Sequence, residues 1–272
     1  MKQLVKTASA MYRILLCVLL CMVVLTGCIG KMTPRKLMRS VVKNMTGITS
    51  FSNTVDMDIK MEDIVKVTEI SMNMEMQNTS EPRAGHAKGT ASLNLRGIKL
   101  DSEMEVYQVP EDGKQVTYSG MDGNWIKDTS SSDSGFSMDP DFMSELSDAV
   151  EKFRLADEPV KVEDKECYEM YGDVTGKSLM ALLGSDTFHA YGLVELPDED
   201  AIGKLSIPVT MDIYKEEKLP ARIIVDMTDA LNNLYDAYDE TTEVNDFTIE
   251  LVFDGYNHVE PIVVPEDVQN AV

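Results

Sequence analysis

The residue of this chain best placed to undergo chemistry is a cysteine, and that chemistry is acylation. Lys2, Lys6 and Arg13 precede an unbroken apolar run from Ile14 to Leu25, and Thr26-Gly27-Cys28 follow. The run is shorter than the roughly 20 residues a bilayer span requires, and a basic flank, a short greasy core and small residues before a cut mark a secretory leader. Leu25-Thr26-Gly27-Cys28 reads as a lipobox, in which small side chains fit the peptidase and the cysteine thiol takes a diacylglycerol. An ordinary leader with an accidental cysteine is the competing reading; spacing, small residues and thiol together weigh against it. Two acyl chains, at about 0.8 kcal/mol per buried methylene, hold a protein to a membrane where one chain does not.

Other motifs fall short of the chemistry they suggest. Gly172-Asp173-Val174-Thr175-Gly176-Lys177-Ser178 follows a strand and opens a helix. A phosphate-cradling loop needs four residues between its first glycine and Gly-Lys-Ser, and three stand here, which removes an amide from the cradle. Thr175 is then an ordinary helix cap. His86, His189 and His258 lie far from one another and from Cys167, so zinc spacing is absent, and exposed strand or loop positions are expected for them. The acidic clusters at Asp56–Asp58, Asp198–Asp200 and Asp236–Glu240 lack the alternation and mid-loop glycine of a calcium loop and read as solvated faces. Paired carboxylates for glycoside hydrolysis usually come with stacking aromatics, yet Trp125 is the single tryptophan and is expected beside Tyr118. No serine elbow is present.

With Cys17 and Cys21 removed in the leader and Cys28 acylated, Cys167 has no disulfide partner and reads as a small buried residue. Losing Lys2, Lys6 and Arg13 would take the formal charge from −22 to −25. Such a field argues against nucleic acid and anionic headgroups, which call for clustered lysine and arginine.

Methionine is the remaining signal. The chain has 19, and many fall at alternate positions of the early segments. Val55, Met57, Ile59 and Met61 alternate with polar residues, as do Ile70, Met72, Met74 and Met76. Leu93 and Leu95 follow, Gly97 shifts the phase as a bulge would, and Ile98, Leu100, Met104 and Val106 continue. Period two with one wet face means antiparallel strands, and Asp112-Gly113 and Asp122-Gly123 are hairpin turns.

Helical spacing appears from Thr33-Pro34 to Gly47, from Asp139-Pro140 to Phe153, from Gly176 to Leu183 ended by Gly184, and around Leu231–Tyr238. Thr129–Met138 is a polar loop. Strands return at Val160–Val162, Tyr168–Val174, Leu205–Ile213, Arg222–Met227 and Phe247–Phe253, and Pro261–Pro265 is extended. The sequence thus predicts a mainly β fold with a few helices, a curved antiparallel sheet. Met57, Met61, Met72, Met74, Met76, Leu93, Leu95, Met104 and Met211 are the candidate lining of an apolar groove. A plain methionine-rich core is the alternative. Few helices for so many strands favours a partly open interior.

These pieces resemble the envelope lipoproteins of the LolA and LppX/LprG-like superfamily, above all uncharacterised Gram-positive relatives. The residues that carry the likeness are Val65–Gln77 with Leu93–Val106, Asp122–Lys127, Met211–Tyr214 through Leu219–Ile223, Phe253–Asn257 and Ile262–Pro265. The resemblance implies a half-open β-barrel closed by helices, with an apolar cavity and no catalytic residues. The best-known carrier of that group is soluble, whereas a lipobox implies an anchored chain. The expected organisation is a leader at 1–27, a lipidated cysteine and tether at 28–32 and one domain at 33–272. Two functions follow: a monomeric, extracytoplasmic lipoprotein that binds a lipid or other apolar ligand, or an interaction or sensor lipoprotein with a filled core. Neither is an enzyme, and neither calls for a cofactor, a metal or nucleic acid.

Overall fold

Strict alternation makes the first strands. In β1 (Ser50–Asp63), Val55, Met57 and Ile59 are buried while Asp58 and Lys60 are exposed, the period of a pleated strand with one covered face. β2 (Lys66–Ser80), β3 (Arg83–Leu95), β4 (Ile98–Glu111), β5 (Lys114–Met121) and β6 (Asn124–Asp128) extend it into an antiparallel meander. The computed structural model describes residues 32–64, 66–129, 149–183, 199–238 and 241–271. The leader, Cys28, most of the Thr129–Met138 loop, Phe142 and Leu146 of the expected second helix, Gly184 and His189 lie outside the described residues.

Three turns of the meander, Arg96-Gly97, Asp112-Gly113 and Asp122-Gly123, have both residues at positive φ, the backbone of two-residue hairpins. The reading of Gly97 as a bulge is thereby corrected. Leu95 pairs with Ile98 across a full reversal, so two strands stand where one was expected. An arginine in the left-handed region is uncommon, and Arg96 hides the turn for that reason.

α1 (Pro34–Met45) precedes the meander and buries Leu37, Met38, Val41 and Met45. Beyond β6 come a 3-10 turn at Ala149–Lys152, where the end of a longer helix was expected, then β7 (Arg154–Leu155), β8 (Val160–Val162) and β9 (Lys165–Thr175). α2 (Gly176–Leu183), α3 (Glu199–Ile202), β10 (Ser206–Tyr214), β11 (Pro220–Asp226), α4 (Thr228–Ala237), β12 (Glu243–Asp254) and α5 (Glu266–Asn270) complete the order. Pro261–Pro265 form neither helix nor strand, with Pro265 extended as the sequence suggested, and α5 follows them.

The result is a 12-stranded antiparallel sheet in the order β6-β5-β4-β3-β2-β1-β12-β11-β10-β9-β7, with β8 also on β9. It is curved and unclosed, a half-open barrel carrying short helices. β1 and β12 join its two halves, Val55 opposite Leu251 and Ile59 opposite Phe247. Ile207, Val209, Met211, Ile223, Val225, Phe247, Ile249 and Leu251 form the buried face of the second half, and α4 packs on β12. A smaller core lies on the opposite face of β3–β5, where Ala84, Tyr107, Val109, Val116 and Tyr118 meet Val264 and Val268 of the C-terminal segment.

Candidate apolar ligand site

Register decides which side chains share the face of Met57. Across β1 and β2, Val55 pairs with Met74, Met57 with Met72 and Ile59 with Ile70. Across β2 and β3, Met76 pairs with Ala87, Met74 with Gly89, Met72 with Ala91 and Ile70 with Leu93. β4 adds Val106, Met104 and Leu100 opposite Ala87, Gly89 and Leu93. Met57, Met72, Met74, Met76, Leu93, Leu95 and Met104 therefore line one continuous face, with half-buried Met61 at its margin. Met211 points to the same face but sits on β10, three strand spacings or about 14 Å from β1.

The feature that sequence reasoning missed is the strand these methionines lie over. Gly85, Ala87, Gly89 and Ala91 present almost no side chain on this face of β3. A Cβ at Gly89 would stand 2.8 Å from Met74 Sδ and 1.9 Å from the carbonyl oxygen of Asn73. The Met74 thioether lies over Gly89, and the β2 and β3 backbones approach too closely there for any other residue. Alternation of Gly85, Ala87, Gly89 and Ala91 with His86, Lys88 and Thr90 was the available signal.

Polarity changes along this strip. At one end stand the buried amides Asn53, Asn78 and Gln108, with Asn78 Nδ2 donating to Asn53 Oδ1 at 3.3 Å and Asn53 Nδ2 to Met76 Sδ at 3.6 Å. Met57, Met72, Met74 and Met76 fill the middle, each at most 2 % exposed. Toward the β3–β4 turn the face emerges into solvent: Leu93 and Leu95 are half-buried and Ile98 and Leu100 exposed, while Met121 and Ile126 are exposed on β5 and β6, level with Met74 and Met76. β5 ends opposite Met104, and β4 runs on past it.

The remaining candidates resolve into structural roles. Ser178 N–H donates to Thr175 Oγ1 at 3.2 Å, the expected cap. The amides of Gly176 and Lys177, which a phosphate would need, donate instead to the carbonyls of Leu205 and Gly203. Cys167 is fully buried and donates to the Lys165 carbonyl at 3.6 Å; burial pushes its thiol up to about 11, so the nucleophilic thiolate is suppressed.

His86 is not the exposed residue expected. Its ring stacks on Tyr107 at 4.2 Å and its Nε2 is 2.9 Å from Glu105 Oε1. His258 is exposed, as expected. Trp125 lies opposite Gly120, whose bare α-carbon receives the indole, and 6.1 Å from Tyr107; Tyr118 pairs with Lys127 instead. Trp125 and Tyr118 are thus not opposite one another in the register, yet Trp125 packs against the small core that contains Tyr118, as expected. Among the described residues no cluster of His, Cys, Asp or Glu is arranged to hold a metal ion. On the reverse face of β10, Asp212 is 1 % exposed and accepts from Arg222 Nε at 2.7 Å. Burial nevertheless pushes its carboxyl above the ordinary range, against the lowering effect of Arg222.

No described helix is long and apolar enough to cross a membrane. The family model of DUF6612, a family of unknown function, matches residues 33–272, and the chain belongs to that family. A comparison with curated proteins finds no match. Among solved structures, the chain is similar to LprF from Mycobacterium bovis, at 11% identity over 86% of this chain and 96% of that one, with a TM-score of 0.49. It is similar also to the Mycobacterium tuberculosis lipoprotein LppX, at 15% identity over 85% and 98% with a TM-score of 0.45. A LolA superfamily protein from Nitrosomonas europaea matches at 10% identity over 88% and 97%, with a TM-score of 0.22.

Proposed function

We propose that this chain is an extracytoplasmic lipoprotein, anchored through Cys28, that shelters an apolar chain along the methionine face of β1–β4. The observation that carries this reading is the continuity of one apolar face from buried Met72 and Met74 to exposed Ile98 and Leu100. A closed core has no reason to run out into solvent, whereas a site that admits a ligand needs an entrance. From Met76 to Thr68 the strip extends roughly 25 Å at about 3.3 Å per residue. That exceeds the ~15 Å occupied by one leaflet of a hydrocarbon core about 30 Å thick. Unbranched thioethers adapt to guests of different outline, which suits a lining that holds a flexible chain. Between Asn78 and Thr68 of β2 the strip carries no charged side chain, and Asp63 stands at its open end, so the ligand's polar group stays at the entrance.

The near-complete burial of Met57, Met72 and Met74 supports a second reading, an interaction or sensor lipoprotein of the same fold with its interior filled by its own side chains. Native mass spectrometry of residues 29–272 expressed in bacteria separates the two. Co-purified acyl lipid that a fluorescent fatty acid displaces is the expected result. An empty protein that also ignores the fatty acid leaves only the filled core. For the anchor, Cys28→Ser should move the chain from the membrane fraction to the soluble exported fraction, and the wild-type N-terminal peptide should carry a diacylglycerol thioether. An unmodified Cys28 in the mature protein would remove the anchor.

A further inference from the structure

We infer that the outer face of α1 is a contact for acidic phospholipid: Arg35, Lys36, Arg39 and Lys43 lie on the headgroups around the molecule's own acyl anchor and set which end of the sheet faces the membrane. It rests on the anchored reading above and adds the surface that orients the anchored unit.

The composition of this helix stands apart from the rest of the chain. No Asp or Glu occurs before Asp56, so all 47 carboxylates follow α1, and α1 itself carries Arg35, Lys36, Arg39 and Lys43 with no anion. Helical geometry gathers these cations. At about 100° per residue they share an arc of roughly 100°, centred opposite the arc through Leu37, Met38, Val41 and Met45. The apolar four are buried and the basic four exposed, so the fold turns the whole stripe outward. Among the described residues Arg39 and Lys43 have no ion-pair partner. Lys60, Lys99, Lys127, Lys215 and Arg222, by contrast, are each held by a carboxylate.

The total charge of −22 argues against acidic headgroups, but a contact responds to the charge within its own range. At physiological salt that range is about 8 Å, so the local sign of α1 outweighs the sum over the chain. The acidic groups at the helix's carboxy-terminal end are already engaged. Asn44 Nδ2 donates to the Glu217 carbonyl at 2.7 Å, the Glu217 carboxylate pairs with Lys165 at 3.6 Å, and Glu166 pairs with Lys215 at 3.1 Å. Clusters of four or more Lys and Arg beside a membrane attachment draw acidic lipid, each cation strengthening the attraction about fivefold.

A lipid layer is the occupant because of where the chain is tied. From Cys28 to Pro34, the first residue of α1, the backbone spans at most about 20 Å. An acylated Cys28 keeps Arg35 and Lys36 close to headgroups whichever way that segment runs, whereas an acidic partner or a second copy must arrive by diffusion. Two acyl chains already retain the protein, so the stripe's work is orientation. α1 leads through Gly47-Ile48-Thr49 into Ser50, where β1 begins. Ile64, 83 % exposed beyond the other end of β1, stands roughly 40 Å along the strand from that point. With α1 on the headgroups, the β1–β2 turn is held off the membrane.

The test uses the full acylated chain reconstituted in vesicles of phosphatidylcholine, alone or with an equal part of phosphatidylglycerol, both containing headgroup spin-labelled lipid as quencher. A bimane fluorophore is placed at Thr46→Cys, exposed just beyond Lys43, and, as the distant control, at Ile64→Cys. Acylated Cys28 and buried Cys167 do not compete for the label. We expect quenching at 46 to be roughly threefold stronger with phosphatidylglycerol than without it. It should fall to the phosphatidylcholine level in about 1 M salt, where charges act over only about 3 Å, and quenching at 64 should stay low throughout. Arg39→Gln with Lys43→Gln, both exposed and close to the originals in helix propensity, should remove the phosphatidylglycerol dependence with the circular dichroism spectrum unchanged. Quenching at 46 that ignores phosphatidylglycerol, that persists in high salt or that survives the double substitution overturns the inference, as does equal quenching at 46 and 64. Energy transfer between labelled copies in place of quenching assigns the stripe to the acidic surface of a second copy and also overturns it. The anchor is scored separately, by the mass of the N-terminal peptide. An unmodified Cys28 sinks the anchor, and co-sedimentation with phosphatidylglycerol vesicles then decides for or against the stripe alone.

Discussion

The two halves of the sheet bury the middle of their inner faces equally well but with different materials. On β10–β12 the covered side chains are Ile207, Val209, Met211, Ile223, Val225, Phe247, Ile249 and Leu251, each at most 2 % exposed. Most are β-branched or aromatic, restricted in rotamer, and packed in part under α4. On β1–β4 Val55, Ile59, Ile70 and Val106 are covered as well, but beside them Met57, Met72, Met74, Met76 and Met104 lie against Ala87, Gly89 and Ala91. Methionine has three torsions and no branch, and the small residues leave its terminus free to choose among them. Exposure alone would call both halves core. Side-chain stiffness separates a scaffold, whose shape is fixed by its own packing, from a surface whose shape is fixed by what lies on it.

That contrast can be attacked with paired truncations. The largest effect is expected for Ile249→Ala, which should cost about 2–5 kcal/mol of unfolding free energy, measured by urea denaturation, and decanoic acid should restore none of it. Met72→Ala should fall near the lower end of the same range, because neighbouring thioethers relax into the gap, and decanoic acid should raise its melting temperature. If both variants respond alike to the fatty acid, the two halves are not different in kind.

Asp212 provides a smaller, pH-dependent probe of the stiff half. Burial raises its carboxyl in the folded protein, so the native state binds that proton more tightly than the unfolded chain, whose value is about 3.9. The resulting stabilisation is full below the unfolded value and is lost as pH rises through the folded one. The stability of wild type relative to Asp212→Asn should therefore fall as pH rises from the unfolded value through the raised folded one, and a gap that stays constant would show that Asp212 contributes no proton linkage. The smallest effect belongs to Lys60→Ala on the wet side of β1. Its pair with Glu69 is 51 % and 43 % exposed, and its loss should cost at most about 0.5 kcal/mol after screening.

Much of this architecture is local and was legible for that reason. Alternation from Val55 to Met61 sets β1, Asp112-Gly113 and Asp122-Gly123 set their turns, and Thr175 sets the start of α2. The site's methionines were legible because period two places them on one face wherever the strand pairs. Three things were not. Arg96-Gly97 looked like a bulge because a turn and a phase shift leave the same mark on hydropathy, and only Arg96 at a φ of 55° distinguishes them. Residues Val106 to Val109 break alternation altogether: Val106 and Gln108 belong to the methionine face, while Tyr107 and Val109 belong to the small core under the C-terminal segment. That segment arrives from more than 150 positions away in the sequence, so no local window can anticipate it. The stripe from Gly85 to Ala91 was visible but silent, because small residues carry weight only once the side chains that cross them are known.

The pairing of β1 with β12 has a consequence for how the molecule is made. Ser52 finds Asp254, and Ile59 finds Phe247, so the seam between the halves closes only after nearly the entire polypeptide has been delivered. A chain that emerges from its amino end can build the early hairpins as they appear, yet one side of β1 waits with its ladder groups bare. Such a strand is an open template for the wrong neighbour, and contacts of this sequence separation form slowly. The interval between arrival of the first hairpin and arrival of the last strand is therefore the vulnerable period in the life of this protein, during which proteases and other nascent chains compete for the edge that β12 will eventually seal.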